Sequence, residues 1–375
     1  AINHMKENML PDGETPGKKR LDLIVVSHKH EDHIKGFDPE LFEDLEIKNI
    51  WLSPAMNDDH PQAQKTKKLH DFTTAAMRDI EARGLALSPE MQLMTSLYSV
   101  SNNVAVETLK ATLPENNGIQ PRYVHAGMSS NDLELSLDQA VIHVLGPEQD
   151  IDGYYLGKEA DEELRGLQEN SAFFAGQSAP VAEAKPANIS ESDFRLLQSR
   201  LLSNAMAFAM NDSSIQNNTS VVLLIEWRGR RLLFVGDAEW HGEFKDGKHN
   251  GSWNVMWHER GEHLQQPLDF LKIGHHGSFN ATPRREDKGP DYEVNKILDH
   301  ILPQPGEGEA PPTAKAVVST ERSNYKPIPD AGMLVELGKR VSNTRSYLSA
   351  LQQNEDFDAQ RDINLFTEYE ETWLD

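Results

Sequence analysis

Short apolar runs that end at polar residues or glycine recur along the chain. The run at 21–27 (LDLIVVS) is continuous and rich in β-branched residues, which predicts a buried strand. The runs at 220–227 and 231–236, joined through Arg228-Gly229-Arg230, predict an antiparallel hairpin. Similar runs predict further strands at 47–52, 121–126, 133–137, 140–145, 268–274 and 314–319.

Helical spacing of apolar residues alternates with these strands. The clearest case follows Ser190, which forms a sequence similar to a capping box with Asp193 and precedes Phe194 and Leu197. Other helices are predicted at 38–45, 62–83, 104–113, 253–265 and 331–339. Alternating strands and helices predict a layered α/β protein.

Composition narrows the class of protein. The longest apolar runs are far shorter than the ~20 residues of a membrane span, and no export signal is visible. We therefore expect a cytoplasmic protein without a membrane partner. The chain has no cysteine, so disulfides and thiol catalysis are excluded, and any metal must bind His, Asp or Glu.

The net charge is −23. A surface this acidic repels a phosphate backbone, which argues against broad nucleic-acid binding through basic patches. A local cationic metal site that accepts a single phosphate remains compatible with this charge.

The most informative segment follows the first predicted strand and reads Ser27-His28-Lys29-His30-Glu31-Asp32-His33. A loop there can direct His28 and His30 at one ion, while Asp32 and His33 reach a second. Imidazole and carboxylate are the ligands expected for zinc, manganese or iron. The segment therefore predicts a site for two divalent ions, Zn or Mn.

This HxHxDH pattern resembles the signature of the metallo-β-lactamase superfamily, whose fold is an αββα four-layer sandwich. The segment 232–237 (LLFVGD) resembles the later strand whose final residue, here Asp237, bridges the two metals. The segment 272–278 (KIGHHGS) resembles the one that supplies the last ligand. We favour His275 as that ligand, with His276 lining the pocket or forming a supporting hydrogen bond.

Within the superfamily, the chain is similar to the nuclease-like domain of ComEC-type competence proteins. The similarity covers 21–36, 140–147 and 220–339, within a single domain 1–375 that has helical and loop insertions at 54–118 and 148–215. The insertions are candidates to cap the site or dock a partner protein. We also assign Ser278 and Asn324, which lie in two of the matching motifs, to substrate binding.

The chain departs from the superfamily pattern at one ligand. The superfamily has a further histidine about where Asn217-Asn218 stands, and ComEC-type members also lack it. Either water completes the first site, or Asn218, His143 or His125 substitutes. Weak binding there would favour manganese.

Two further departures concern the ends of the match. The fold normally opens with strands before the metal motif, so we expect leading strands to be missing. Where the ComEC-type pattern ends in His-Pro, this chain has Lys326-Pro327. That lysine could neutralise a phosphate oxygen or protonate a leaving group.

The resemblance implies hydrolysis by a metal-bridging hydroxide that Asp32 holds, while Asp237 fixes the separation of the two ions and His276 or Lys326 protonates the leaving group. The favoured substrate is a phosphodiester, as a short single-stranded nucleic acid or a nucleotide. The alternatives are hydrolysis of a lactam, lactone or thioester, or a non-catalytic binding protein that retains the fold.

Overall fold

A computed structural model describes residues 2–82, 98, 103–158, 190–319 and 329–342. The chain divides into two compact units, which we describe separately. Unit 1 comprises Ala1–Arg122, Asp150–Gln216 and Asp246–His249, and unit 2 comprises Tyr123–Gln149, Asn217–Lys245 and Asn250–Asp375. Both contain helices and strands, which confirms the predicted α/β class.

The short strands of unit 1 form a two-stranded sheet and a three-stranded sheet. Strand β1 (Lys19–Leu21) pairs with β3 (Leu45–Ile47) in parallel, and β2 (Ile24–Val26) pairs with β4 (Ile50–Leu52) in parallel. The two-residue strand β5 (Arg122–Tyr123) lies next to β4 as the third strand of the second sheet. The strand predicted at 21–27 is confirmed at Ile24–Val26 but is interrupted at Asp22 and Leu23, which separate it from β1. The chain leaves the first strand at Asp22, whose carbonyl accepts a hydrogen bond from the Asn49 side chain at 3.1 Å instead of from a neighbouring strand.

The main helices of unit 1 agree with the predicted pattern. The helix predicted at 62–83 is α3, and Asp152 caps its start by accepting hydrogen bonds from the Lys65 and Thr66 amides. The helix predicted at 38–45 is reduced to the single 3₁₀ turn Pro39–Phe42, because Leu45 already begins β3. The α-helices are α1 (Ile2–Asn8), α2 (Glu31–Ile34), α3 (Gln64–Ala82), α4 (Asn103–Glu107), α5 (Leu113–Asn117) and α6 (Glu191–Asn218), whose last two residues belong to unit 2.

Short helical segments link these elements in unit 1. Among the described residues of unit 1, two such segments are π-helical and two are 3₁₀, in addition to the turn at Pro39–Phe42. Unit 2 has one 3₁₀ segment. The π segments are Thr108–Thr112 and Asp152–Leu156, and the 3₁₀ segments are Pro54–Met56, Pro61–Ala63 and, in unit 2, His275–Gly277.

Unit 2 is built on a five-stranded sheet with the order β10-β9-β8-β7-β6. Its two halves differ in direction: β6, β7 and β8 are antiparallel, whereas β8, β9 and β10 are parallel. The β7–β8 pair confirms the predicted hairpin. The strands are β6 (Ala140–Gly146), β7 (Val222–Trp227), β8 (Arg230–Phe234), β9 (Phe270–Ile273) and β10 (Lys315–Val318), and the two-residue strand β5 (Arg122–Tyr123) spans the boundary of the units.

The strand predicted at 133–137 is wrong. These residues follow a local turn in which the Leu133 amide donates to the Ser129 carbonyl at 3.1 Å and the Leu135 amide donates to the Ser130 carbonyl at 2.8 Å. Local hydrogen bonds satisfy the backbone there, although the apolar alternation suits a strand.

Helices α7 (Ser252–Leu264), α8 (Glu293–Ile301) and α9 (Ala331–Gly338) complete unit 2. Its core joins apolar side chains of the sheet, such as Leu233 and Leu271, to those of the helices, such as Trp253 and Ile297, all at most 1% exposed. Burying a side chain of this size contributes roughly 1.5–3 kcal/mol.

A buried ion pair joins Glu336 of α9 to Arg340, which lies just after this helix. Arg340 donates to the Glu336 carboxylate at 2.8 Å through Nη2 and at 3.1 Å through Nε, and its Nη1 donates to the Leu302 carbonyl at 2.7 Å. The guanidinium therefore satisfies a carbonyl at the C-terminal end of α8 while it pairs with α9.

Parts of both predicted insertions, at 83–97, 99–102 and 159–189, lie outside the described residues. The single domain with two insertions stays a prediction. Among the helices within the described ranges, none combines the length and apolarity needed to cross a membrane.

Candidate metal-binding residues of the two units

The three histidines of the HxHxDH motif lie in unit 1, just after the end of β2. The strand ends at Val26, and the turn that follows leads into the short helix α2, which begins at Glu31. His28 is 1% exposed, and its Nε2 lies 3.0 Å from His30 Nδ1, with the ring centroids 4.6 Å apart. The two ring nitrogens are within hydrogen-bonding distance of each other, and a separation this short also suits neighbouring ligands of one ion.

A serine next to the motif orients two of its rings. Ser27 Oγ lies 3.2 Å from His28 Nδ1 and 3.0 Å from His33 Nδ1. Where Ser27 Oγ accepts from an Nδ1–H group, that ring presents Nε2 as the ligand atom, which is how supporting hydrogen bonds set the tautomer of metal-bound histidines. The sequence analysis gave Ser27 no role, and its position just before the first histidine was the available signal.

Asp32 and His33 form the second part of the motif. The Asp32 carboxylate lies 3.5 Å from His33 Nε2, and the aspartate side chain is 39% exposed. Because α2 brings both to its first turn, a carboxylate oxygen and a ring nitrogen are available together. All four predicted residues of the motif thus lie in unit 1, in the turn after β2 and the first turn of α2.

The other predicted ligands belong to unit 2, where three parallel strands end side by side. Asp237 follows β8, His275 and His276 follow β9, and Ser319 follows β10. Because parallel strands bring their carboxyl ends to one edge of a sheet, these residues meet although they are far apart in sequence. The His275 amide donates to Asp237 Oδ1 at 3.0 Å, and the buried Asp237 donates through its own amide to Ser220 Oγ at 3.0 Å.

Gly274 permits this close approach. A Cβ atom at this position would lie 2.4 Å from the Gly236 carbonyl oxygen, which belongs to the turn after β8. The ends of β8 and β9 can therefore come together only if residue 274 has no side chain.

Both histidines after β9 have one ring nitrogen occupied. His276 Nδ1 lies 2.8 Å from the Ser319 carbonyl, and because a carbonyl only accepts, Nδ1 carries a proton. His275 Nδ1 lies 3.4 Å from Glu239 Oε1 and 3.0 Å from Ser278 Oγ. Each ring can thus offer Nε2 to a metal, and the preference for His275 stays a prediction.

The backbone at these histidines is strained. His275 and His276 have φ angles of 42° and 51°, in the left-handed region that side chains with a Cβ rarely adopt. Such conformations cost of order 1–3 kcal/mol each and persist where the surroundings fix them, often at functional sites. Here the Asp237 and Ser319 hydrogen bonds fix both residues.

A buried carboxylate that the sequence analysis missed organises this part of unit 2. Glu239 is 3% exposed, and its Oε1 accepts from Asn217 Nδ2 at 2.9 Å, while its Oε2 accepts from Asn218 Nδ2 at 3.1 Å and lies 3.1 Å from His241 Nε2. With His275, four side chains therefore surround one carboxylate. The signal in the sequence was its place two residues after Asp237.

The charges in this network support one another. Burial alone would raise the pKa of Glu239, but the hydrogen bonds from His241, His275 and Asn217 outweigh it and hold the pKa far below its usual range. Burial alone would lower the pKa of His275, but the bond to Glu239 and the nearby Asp237 raise it. An ionised Glu239 therefore makes His275 more basic and holds its ring.

The remaining predicted residues have other surroundings. The Asn218 side chain is engaged in its network, since its Oδ1 accepts from the Glu239 amide at 3.1 Å and the Ser252 amide at 2.6 Å. His143 lies mid-strand in β6, 3.4 Å from Glu226 Oε2. His125 Nδ1 lies 3.0 Å from the Ala126 carbonyl. Two predicted residues, Asn324 and Lys326, lie outside the described residues.

Comparison with known proteins assigns no relative: no family model matches the chain, and neither a curated protein nor a solved structure matches it.

Proposed function

We propose that this chain is a divalent-metal-dependent hydrolase of the metallo-β-lactamase type that acts on a phosphodiester. The observation that carries the proposal is the 3.0 Å approach of His28 Nε2 and His30 Nδ1 within a turn where Ser27 holds the other nitrogen of the His28 ring. A histidine on a solvated loop needs no such support. Rings fixed by a neighbouring hydroxyl suit a role as ligands.

The donor set fits divalent transition metals. Unit 1 offers imidazole nitrogens and one carboxylate, and unit 2 offers the Asp237 carboxylate and the Nε2 atoms of His275 and His276. Nitrogen and oxygen donors of this kind suit zinc and manganese, and the cysteine-free chain has no thiolate to select a softer ion. The sequence resemblance assigns the proposed ligands as His28, His30, Asp32, His33, Asp237 and either His275 or His276.

When bound, two divalent ions lower the pKa of a water to give a nucleophile near neutral pH and polarise the oxygen of the substrate. The chain's own residues prepare the ligands for this role. Ser27 sets the rings of His28 and His33, the Ser319 carbonyl sets the tautomer of His276, and Glu239 holds His275. Supports of this kind alter metal affinity by roughly 10- to 100-fold.

Asp32 is suited to a proton-handling role. Its carboxylate is 39% exposed, so it is accessible to a water or a substrate as well as to a metal. A phosphodiester is favoured over a lactam, lactone or thioester by the ComEC-type sequence motifs. The net charge of −23 favours a short strand or a nucleotide over long duplex.

Elemental analysis of the purified protein, followed by a substrate panel in the presence of Mn²⁺ or Zn²⁺, tests the proposal. The panel contains bis-p-nitrophenyl phosphate, a single-stranded oligonucleotide, a chromogenic β-lactam, a lactone and a thioester. We expect bound metal and cleavage of the phosphodiesters alone. Metal-loaded protein that cleaves none of the phosphodiesters would exclude the proposed activity, and cleavage of a carbon-centred ester alone would support the alternative.

Variants locate the activity. His30→Ala is expected to lower metal content and to reduce turnover by at least about 100-fold. The matched control is His258→Ala, since His258 is a half-exposed histidine that contacts Glu259. Equal metal content and turnover in the two variants would contradict the ligand assignment. Comparing His275→Ala with His276→Ala then identifies the ligand, since the ligand's loss removes metal and the supporting residue's loss only weakens binding.

A further inference from the structure

Phe279 follows the two histidines after β9 and is unusual in being exposed. Its side chain is 54% exposed, and it is the one aromatic ring among the large exposed hydrophobic side chains of the described residues. Single exposed apolar residues are common, so exposure by itself indicates no ligand. Two further features indicate a binding role for this ring: it lies close to the candidate ligands, and it packs against a buried tryptophan.

The position is close to the candidate ligands. Phe279 comes three residues after His276, so their Cα atoms are at most about 11 Å apart. The intervening loop is tightly bonded: the Gly277 amide donates to the Gly274 carbonyl at 2.8 Å, and the Ser278 amide donates to the His275 carbonyl at 2.9 Å. A group that contacts Phe279 is therefore next to any group bound at these histidines.

The Phe279 ring packs against the side chain of Trp240. Trp240, which is 5% exposed, contacts it edge-to-face with the ring centroids 5.4 Å apart. The Trp240 amide donates to the Asn280 carbonyl at 3.0 Å, which ties the loop to the segment after Asp237. The Arg285 guanidinium lies 5.8 Å from the centre of the Trp240 ring. A buried indole thus supports Phe279 while much of the phenyl ring faces solvent.

We propose that Phe279 is a stacking platform for a nucleobase of the substrate next to the bond that is cleaved. This inference rests on the proposed phosphodiesterase function and deepens it by assigning the residue that would contact an unpaired base of the substrate. Stacking on a phenyl ring needs no basic side chain, so it suits a chain with a net charge of −23. It also requires an unpaired base, because the face of a base inside a duplex is covered.

The test is equilibrium binding, measured by fluorescence anisotropy with a labelled five-nucleotide oligothymidylate whose phosphorothioate linkages resist cleavage. Phe279→Ala is expected to weaken binding roughly 5- to 150-fold, the range for loss of one base–aromatic stack. Phe279→Trp should bind at least as tightly as the wild type. A strand of the same length made of abasic residues should lose less than twofold on Phe279→Ala.

The matched control is Met9→Ala, which removes another exposed apolar side chain, 71% exposed, from unit 1. The inference is overturned if Phe279→Ala binds oligothymidylate as Met9→Ala does, or if it loses the same factor on the abasic strand. It is also overturned if wild-type protein cleaves bis-p-nitrophenyl phosphate but does not bind the oligonucleotide, or if Phe279→Ala instead changes the oligomeric state.

These outcomes differ from failure of the proposed function. If metal-loaded wild-type protein cleaves no phosphodiester and binds no oligonucleotide, the proposed function falls, and the stacking role falls with it. If the wild type cleaves phosphodiesters and Phe279→Ala leaves binding unchanged, only the stacking role falls.

Discussion

Glu239→Gln is the most informative substitution for the candidate site of unit 2, because it keeps the shape of the side chain and removes its charge. In the wild type each carboxylate oxygen faces two side chains: Asn217 and His275 face Oε1, and Asn218 and His241 face Oε2. A glutamine amide has one acceptor oxygen and one NH₂ group. Whichever way the amide is turned, its NH₂ group faces one asparagine NH₂ group and one histidine ring nitrogen, both of which donate to the carboxylate in the wild type.

The size of the effect follows from these contacts. A hydrogen bond to a charged group contributes about 1.5–3 kcal/mol, so two lost bonds amount to about 3–6 kcal/mol. Removing a buried charge relieves part of its desolvation cost. We therefore expect the free energy of unfolding to fall by about 2–4 kcal/mol, and metal affinity to fall roughly 10- to 100-fold because His275 loses its support.

Urea unfolding followed by tryptophan fluorescence measures the first quantity, and metal titration of the native protein measures the second. The matched control is Glu243→Gln, an exposed glutamate in the same unit, which should change the free energy of unfolding by no more than about 0.5 kcal/mol. If Glu239→Gln matched Glu243→Gln in both measurements, the reasoning that Glu239 organises this network would be refuted.

Two further substitutions in unit 2 test the packing around the site and the core. Gly274→Ala should lower the free energy of unfolding by about 1–3 kcal/mol and disrupt the ends of β8 and β9, because its Cβ would lie 2.4 Å from the Gly236 carbonyl oxygen. The control is Gly289→Ala, whose Cβ would have no atom within 4 Å and which should leave the thermal unfolding midpoint unchanged. Arg340→Met should lower the free energy of unfolding by at most about 3–5 kcal/mol at pH 7, because the buried Glu336 then keeps, of its described cationic partners, only Lys339 at 3.0 Å and Arg284 at 3.7 Å, and equal unfolding midpoints for variant and wild type would contradict this. Burial raises the pKa of Glu336, but Arg340, together with Lys339 and Arg284, outweighs burial and holds the pKa below the ordinary 4.5. The Glu336–Arg340 pair therefore stabilises fully above pH 4.5, and the difference between wild type and Arg340→Met should shrink as pH falls through the folded pKa.

Local patterns in the sequence were sufficient for several elements. The apolar spacing of 62–83 and the hairpin around Arg228-Gly229-Arg230 specify their own hydrogen bonds, and both appear in the structure as predicted. The same reasoning missed the interruption at Asp22 and failed at 133–137. There the decisive hydrogen bonds involve Asn49 in one case and a local turn in the other, and neither changes the apolar pattern.

The candidate site likewise contains residues that a local sequence pattern predicts and residues that only the tertiary structure brings together. The motif from His28 to His33 is contiguous, so its convergence within unit 1 could be predicted from spacing alone. Glu239 could not be predicted as an organising residue, because its partners include Asn217 and His275, which come from different elements. Only the parallel order of β8 and β9 brings the segments that hold Asp237 and His275 together, and strand order is not visible in any local window.

Asn217 and Asn218 stand where the sequence resemblance to the metallo-β-lactamase superfamily would place a further histidine ligand, and their contacts predict what a histidine there would do. Asn217 and Asn218 are buried, and both donate to Glu239. A histidine at either position would remove one of these donors, and it would require space in a buried network for a larger ring. The two amides therefore hold the buried Glu239 carboxylate, which in turn contacts His275. If the proposed metal site is present, we therefore expect a histidine introduced at 217 or 218 to weaken metal binding instead of strengthening it, because it disturbs the Glu239 network.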